Sequence, residues 1–375
     1  MNTTETTEAF PAVAGDAPAV PGRRGREVVA LVPAHNEEEA IASTLAGLMT
    51  QSRQPDRVIV VCDNCTDRTA DLAALAGAEV FATVANGRKK AGALNQVLGE
   101  VLPRLDGTDV VLVVDADTTL APEFVETALR EIEAGAGACG GVFYGEQGGG
   151  LMGIFQRAEY SRYARQLRRN RGDTRVLTGT ASAFTVAALQ ALAAARTAGR
   201  LPGAQRGQVS PVYTMASLTE DGEITLALKT LGFKCVSPGG CAVTTEIMTT
   251  VPSWWRQRTR WQRGALEDLR TYGMTRVTLP YMLRQAAMGL SVAVFALYVA
   301  YSLVTICLYG YHTNVIWLGI SALFVAERVI TVRRAGWREI VIAALIFPEL
   351  VYDALQHVVW LWCVAGATLR TRTSW

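Results

Sequence analysis

The first half of the chain alternates short, unbroken apolar runs with stretches whose apolar positions recur at helical spacing. Residues 27–34 (EVVALVPA) read as a buried strand and residues 37–51 as a helix. Residues 57–63 (RVIVVCD) read as a second strand, followed by a helix through TDRTADLAALAG. Residues 79–84 form a third, short strand, 89–102 the next helix, and 109–115 (DVVLVVD) a fourth strand. Runs of β-branched residues without polar alternation suit a sheet covered on both faces. Their alternation with helices predicts right-handed crossovers and a mostly parallel sheet. Ligands of such sheets sit beyond the carboxyl ends of the strands. The first, second and fourth strands end in His35-Asn36, Asp63-Asn64 and Asp115-Ala116-Asp117, so these polar residues are expected to converge on one crevice.

The pattern changes in the second half. Residues 150–170 form a helix carrying Arg157, Arg162, Arg165, Arg168 and Arg169, either a solvated face or a contact for anionic lipid heads. A Gly/Pro-rich loop (AGRLPGAQRGQVSP) precedes helices over 222–231 and 253–272. Residues 286–308 carry no charge and are long enough to cross a bilayer, which takes ~20 apolar residues. A short turn leads to a second span over 315–332, with Glu327 and Arg328 near one end, where snorkelling or mutual pairing accommodates them. The basic VRRAGWRE that follows, and Arg276 and Arg284 ahead of the first span, mark the cytoplasmic side. A last apolar stretch, 340–368, is broken by Pro348, Glu349, Asp353 and His357. It is too short for two spans and reads as one kinked span, or as a re-entrant or surface-lying segment.

Composition agrees with this division. Half of the residues are hydrophobic and the excess gathers after about residue 285, while a net charge of +2 gives no general attraction for nucleic acid. Residues 1–26, rich in Thr, Ala, Pro and Gly, lack an apolar run of signal length and read as a disordered tail. The expected organisation is therefore the tail, a cytoplasmic α/β domain over 27–275, and a membrane region over 276–375 in a multi-pass protein of the cell membrane. Seven scattered cysteines suit reduced thiols. Cys62 and Cys65 form a C-x-x-C, but no second pair has ligand spacing.

Two carboxylates one residue apart at a strand end, Asp115 and Asp117, can grip a hard divalent cation that also binds phosphate. Alone this is a weak signal, since acids end many strands. Here it stands in a series: VPAHNEEEAI, VVCDNCTDRTA, KKAGALNQ, VVDADTTL, LTGTASAF, LTEDGEITLAL and QRTRWQRG, in that order. The series resembles that of membrane-bound family 2 glycosyltransferases, the branch of the cellulose, chitin, hyaluronan and poly-N-acetylglucosamine synthases, over roughly residues 27–270. The resemblance implies a GT-A fold, the nucleotide-diphospho-sugar transferase fold with a mostly parallel sheet, here followed by C-terminal transmembrane helices. It also implies Mn or Mg as cofactor and a nucleotide-sugar donor, UDP-N-acetylglucosamine or UDP-glucose.

On these positions the resemblance makes Pro33, Ala34, Asn36 and Glu37 the loop that holds base and ribose, and Asp63 the acid that contacts the base. Lys90 falls near the nucleotide, or is an exposed first-turn lysine. Asp115 becomes the ribose- or diphosphate-side acid and Asp117 the metal ligand. Asp221 becomes the general base that deprotonates the acceptor hydroxyl, with Glu220 as the alternative base and a helix N-cap as the non-catalytic alternative for Asp221. Gly179 and Thr180 resemble the turn below the acceptor. Gln257, Arg260 and Trp261, the Q-x-x-R-W pattern, lie within about one helical turn. There the Trp supports an acceptor sugar and the Arg approaches the diphosphate, or the helix simply lies on the membrane surface with its Trp at the interface.

Three departures qualify the likeness. The Phe-Arg-Arg of the family pattern is Phe184-Thr185-Val186 here, no transmembrane helix precedes the catalytic motifs, and the membrane part is small. Two or three spans do not easily enclose a sugar chain. Either a homo-oligomer completes a channel, or the enzyme adds one or a few sugars to a saccharide, lipid or protein acceptor. Two other classes share parts of the pattern. A sugar nucleotidyltransferase requires a Gly-rich phosphate loop where PAHNEEE stands, and an inactive channel subunit predicts eroded acidic motifs where these are intact.

Overall fold

The protein's structure, a computed structural model, describes residues 25–202, 211–310, 315–333 and 336–369. Nearly all of the expected N-terminal tail, the middle of the 198–211 loop, the turn before residue 315 and the basic C-terminal residues lie outside them. The alternating half folds as β1 (Val28–Ala34), α1 (Ile41–Met49), β2 (Arg57–Cys62), α2 (Thr69–Leu75), β3 (Glu79–Ala82), α3 (Lys89–Val101) and β4 (Val110–Val114). Next come β5 (Thr119–Leu120), α4 (Phe124–Glu133), β6 (Ala138–Gly140), β7 (Val142–Gly145), α5 (Gly150–Arg169), β8 (Ala181–Thr185) and α6 (Val186–Thr197). The catalytic half closes with α7 (Glu220–Thr230), β9 (Cys235–Val236), β10 (Ala242–Thr245) and α8 (Val251–Tyr272).

Seven strands form the main sheet in the order β3-β2-β1-β4-β8-β6-β9, and β5-β10-β7 form a small second sheet. The first four strands pair in parallel, as their β-branched runs predict; β8 enters antiparallel to both β4 and β6. Residues of β1 alternate between two cores. Val29 and Leu31 face α3, α6 and α7, whereas Val28, Ala30 and Val32 face α1, α2 and α4. Both faces of the sheet are thus covered, and the polar strand ends are left free at one edge.

The C-terminal helices are α9 (Leu279–Tyr309), α10 (Val315–Val332), α11 (Trp337–Ala344) and α12 (Phe347–Thr368). Among the described residues, α9 and α12 are long and apolar enough to cross a membrane, and no residue of α9 is buried. The stretch read as one interrupted segment is two helices. The chain breaks at Leu345-Ile346, where Ile346 has φ +51°, and Pro348 in the first turn of α12 suits a helix start.

The arginines of α5 are not all a free face. Arg157 is buried, with Nε 2.7 Å from Glu339 Oε1 and Nη1 donating to the carbonyls of Glu146 and Gly148. Arg162 pairs with Glu349. Arg328 reaches Glu349 and Asp353 at 3.1 and 2.6 Å rather than its neighbour Glu327. The reason is topological: α11 and α12 fold back on α5 and bring their acids to it. A second set of bonds joins α8 to α12 and α9. Trp254 Nε1 donates to Tyr352 Oη at 3.0 Å, and Gln285 Oε1 accepts from both Gln262 and Trp360.

Candidate active site

The residues expected on the nucleotide side sit where β1 and β2 end. Asn36 and Asn64 have φ of +57° and +53°, left-handed positions that asparagine tolerates better than most residues. Asn36 Oδ1 accepts from the Thr66 N–H at 2.8 Å, which ties the first loop to the second. Pro33 and Ala34 are the last paired residues of β1, opposite Val61 and Cys62. Asp63 is buried, and its Oδ1 accepts from Thr83 Oγ1, Asn86 Nδ2 and Asn64 Nδ2 at 2.8, 2.8 and 3.0 Å. Among the described residues Oδ2 has no partner. Gly92 makes this arrangement possible. A Cβ there would lie 2.1 Å from Asn86 Oδ1, so only glycine lets the loop that carries Asn86 settle on α3.

Beyond β4, the Asp115 N–H donates to the Thr180 carbonyl at 2.8 Å, joining the acidic pair to the turn before β8. Lys90, in the first turn of α3, points across this junction. Its Nζ lies 2.5 Å from Asp115 Oδ1, 3.0 Å from the Gly179 carbonyl and 3.6 Å from Glu220 Oε1. It is therefore a bridging cation and not an exposed first-turn lysine. Burial works against its charge, but Asp115 and Glu220 outweigh that and hold it protonated. Asn95, in the same motif, exchanges two 2.8 Å bonds with the backbone of Tyr213 and so fixes the segment leading to Glu220.

Asp221 is held at both oxygens. Oδ2 accepts from the Gly179 N–H at 3.2 Å and Oδ1 from the Gly222 N–H at 2.8 Å. The N-cap position of α7 belongs to Thr219, so capping does not account for Asp221. Burial first, and then the neighbouring charge of Glu220, push the Asp221 carboxyl up to about 6. A cleft lined by Lys90, Gly179, Ser182, Tyr213, Glu220 and Asp221 opens here.

Negative charge accumulates on the strand-end side. Glu37 titrates above the usual range through burial and the fields of Asp117 and Asp115. Glu246, just past β10, does so through burial and the fields of Asp117 and Glu146. The hydropathy pattern did not single out Glu246, because β10 is only four residues long and leaves no periodicity to read. Among the described residues no three His, Cys, Asp or Glu side chains form a cage for a metal ion. This donor set fits a cation held by one or two carboxylates and completed by substrate phosphate, the usual arrangement for Mg²⁺ and its relatives.

Gln257 and Trp261 share one face of α8 with Gly264 and Asp268, the residues that pack against the start of α7. Arg260 is exposed. Arg258, which the sequence reading passed over, is drawn inward. Its guanidinium lies 4.5 Å from the Trp261 ring centroid and 2.8 Å from Glu159.

A mostly parallel sheet with an acidic pair at the end of its fourth strand, and a carboxylate held across the same crevice, defines the GT-A-like class of nucleotide-sugar transferase folds. Residues 25–264 match the family described as glycosyltransferase like family 2, and the chain belongs to that family. It is 27% identical over 253 residues to the probable glycosyltransferase YdaM of Bacillus subtilis (strain 168), an alignment that takes in 64% of this chain and 55% of that protein. The chain thus spans about half the length of this curated relative. Among solved structures it is similar to the mannosyltransferase PcManGT from Pyrobaculum calidifontis, crystallised with GDP-Man and Mn²⁺. That likeness has a TM-score of 0.53 at 16% identity, over 93% of this chain and 89% of that one. It is also similar to glucosyl-3-phosphoglycerate synthase from Mycobacterium tuberculosis, with a TM-score of 0.39 at 18% identity, over 67% and 81% of the two chains.

Proposed function

We propose that the protein is a metal-dependent, inverting glycosyltransferase of the membrane, moving a sugar from UDP-N-acetylglucosamine or UDP-glucose to a saccharide, lipid or protein acceptor. The observation that carries this reading is Asp221. Its carboxylate is fixed by two backbone N–H groups beside the Lys90–Asp115 pair, and burial keeps its affinity for a proton above that of an ordinary aspartate. Such a group can remove the proton of an acceptor hydroxyl near neutral pH.

In the proposed reaction Asp221 takes that proton while the hydroxyl oxygen bonds to the anomeric carbon. The bond from the anomeric carbon to the diphosphate oxygen breaks on the opposite face, so an α-linked donor gives a β-glycoside and nucleoside diphosphate. Asp63 Oδ2, the oxygen left free by three donors on Oδ1, receives an N–H of the base. Glu37, Asp115, Asp117 and Glu246 would repel a diphosphate if left uncompensated. Lys90 offsets part of that charge, and Asp117 would hold a divalent cation, which when bound would supply the remaining positive charge for the diphosphate. Trp261, backed by Arg258, offers an aromatic face to the acceptor. The catalytic domain over 27–275 lies on the cytoplasmic side, with the region over 276–375 in the bilayer.

The test is transfer by detergent-purified protein with Mn²⁺, a panel of radiolabelled nucleotide sugars and native lipid extract, against Asp221→Asn. The substitution is expected to lower transfer about 10²- to 10⁴-fold, the range for loss of a general base, while nucleotide binding persists. Transfer undiminished in Asp221→Asn would remove the assigned base, and turnover of GDP- or dTDP-sugars alone would remove the UDP assignment.

A further inference from the structure

The acids around α7 have partners suited to a negative charge, with one exception. Lys90 serves Asp115 and Glu220, and two backbone N–H groups serve Asp221. Glu223 lies between Arg196 and the Tyr272 hydroxyl, at 2.5 and 2.6 Å, and Glu267 pairs with Arg263. Asp268 of α8 is only 6% exposed, yet among the described residues its hydrogen-bond partner is a single neutral group, the Ser217 hydroxyl, 3.2 Å from Oδ2. Arg270 lines the same cavity as Asp268, Ser217, Glu223 and Glu267, but among the described residues it forms no ion pair with Asp268.

The bonds of Ser217 decide which form of Asp268 fits. Ser217 Oγ accepts from the Thr219 N–H at 3.1 Å and stands 3.1 Å from the Thr219 carbonyl. A hydroxyl carries one hydrogen. If that hydrogen goes to the Thr219 carbonyl, the contact with Asp268 is a hydrogen bond only when Asp268 supplies the proton. An ionised Asp268 would instead draw the hydroxyl away from Thr219. It would also face Asp221 and Glu223 of α7, and Glu267 of its own helix, without a cation. Burial above all, then the fields of Glu223, Asp221 and Glu267, outweigh the Ser217 bond and push the Asp268 carboxyl up to about 8. Thr219 is the N-cap residue of α7, two positions before Asp221, so whatever holds Thr219 holds the base.

We propose that Asp268 is a positioning residue that works as a neutral acid, donating its proton to Ser217 so that Ser217 and Thr219 hold the start of α7 for Asp221. The inference rests on Asp221 acting as the base. Two acids of one site then need opposite forms, Asp221 ionised and Asp268 protonated, and full activity is confined to the pH between about 6 and about 8. Above that range Asp268 loses its proton, Ser217 turns to the new charge, and the Thr219 carbonyl is released.

The test follows kcat against pH in the detergent-purified full chain, with whichever donor of the nucleotide-sugar panel it turns over. Asp268→Ala is expected to lower kcat about tenfold, the equivalent of one hydrogen bond of ~1.4 kcal/mol, with nucleotide affinity unchanged. Asp268→Asn, whose amide donates to Ser217 as the acid does, should restore most of that loss and abolish the fall in activity as pH rises through about 8. An alkaline fall that persists in Asp268→Asn overturns the proposal. Infrared difference spectra of the unaltered chain against Asp268→Asn, taken at neutral pH without any donor, give a second readout. They should show the carbonyl stretch of a protonated carboxyl, moved to higher frequency when Ser217→Ala removes its partner. A carboxylate band in its place overturns the proposal even if Asp268→Ala fails to fold. Absence of transfer from every donor sinks the glycosyltransferase reading and leaves the infrared result to decide the state of Asp268.

Discussion

At the scale of single residues, the site is governed by which carboxylates have a cation beside them. Lys90 sits against Asp115 and Glu220, whereas Asp221 is held only by backbone N–H groups and bears the field of Glu220. On the proposed role of Asp221 as a base, which must be ionised to work, activity is expected to fall as pH drops through about 6, where Asp221 takes up its proton. Glu220→Gln removes the like charge and frees Lys90 to act more strongly on its surroundings. Both changes lower the Asp221 pKa, so the acid limb of the rate profile should move to lower pH. A limb that stays in place in that variant would mean that another group controls it. The same shift has a stability counterpart. A buried acid with a raised pKa favours the folded state at low pH, and that contribution is lost as pH rises from the ordinary aspartate range through about 6.

At the scale of elements, the position of Asp221 depends on how α8 meets α7. Gly264 is the point of closest approach. A Cβ there would stand 2.4 Å from Thr219 Oγ1 and 2.9 Å from its Cγ2, and Thr219 immediately precedes the acids of α7. Gly264→Ala must therefore push α8 and α7 apart, at a cost of about 1–3 kcal/mol as in other overpacked contacts. The expected signature is a lower Tm together with reduced kcat, while nucleotide affinity, which we propose is set at the ends of β1 and β2, stays close to its original value. Unchanged kcat would show that the helix contact does not position the base. The α8 motif thus reaches the start of α7 through its terminal glycine.

At the scale of the whole molecule, the C-terminal helices are joined to the catalytic domain by charge and aromatic packing. Arg157–Glu339 and Arg162–Glu349 link α5 to α11 and α12, and Tyr352 stacks on Phe155 at 4.9 Å. Among the described residues the outer surface of α9 has no such ion pair or ring stacking, with Leu290, Leu297, Tyr301 and Leu308 among its exposed side chains. An apolar surface of this extent is stable in contact with hydrocarbon and unfavourable in water. The full chain is accordingly expected to remain in the membrane pellet through both high-salt and alkaline carbonate washes. Release by salt alone would reduce the association to surface charge and remove the spanning role of α9.

The sequence by itself determined the parallel core and the collection of acids at its strand ends. Unbroken β-branched runs must be covered on both faces, and alternation with helices leaves one edge for ligands. It also marked the motif series, and with it the positions of Lys90, Asp115, Asp117 and Asp221. The short strands β5 to β10, of two to five residues, were not legible, because periodicity needs more positions than they supply. Which charges pair was equally hidden. Whether Arg157 is solvated or paired with Glu339 depends on where α11 returns to the domain. Long-range packing of residues more than 100 positions apart decides that, and no local pattern encodes it.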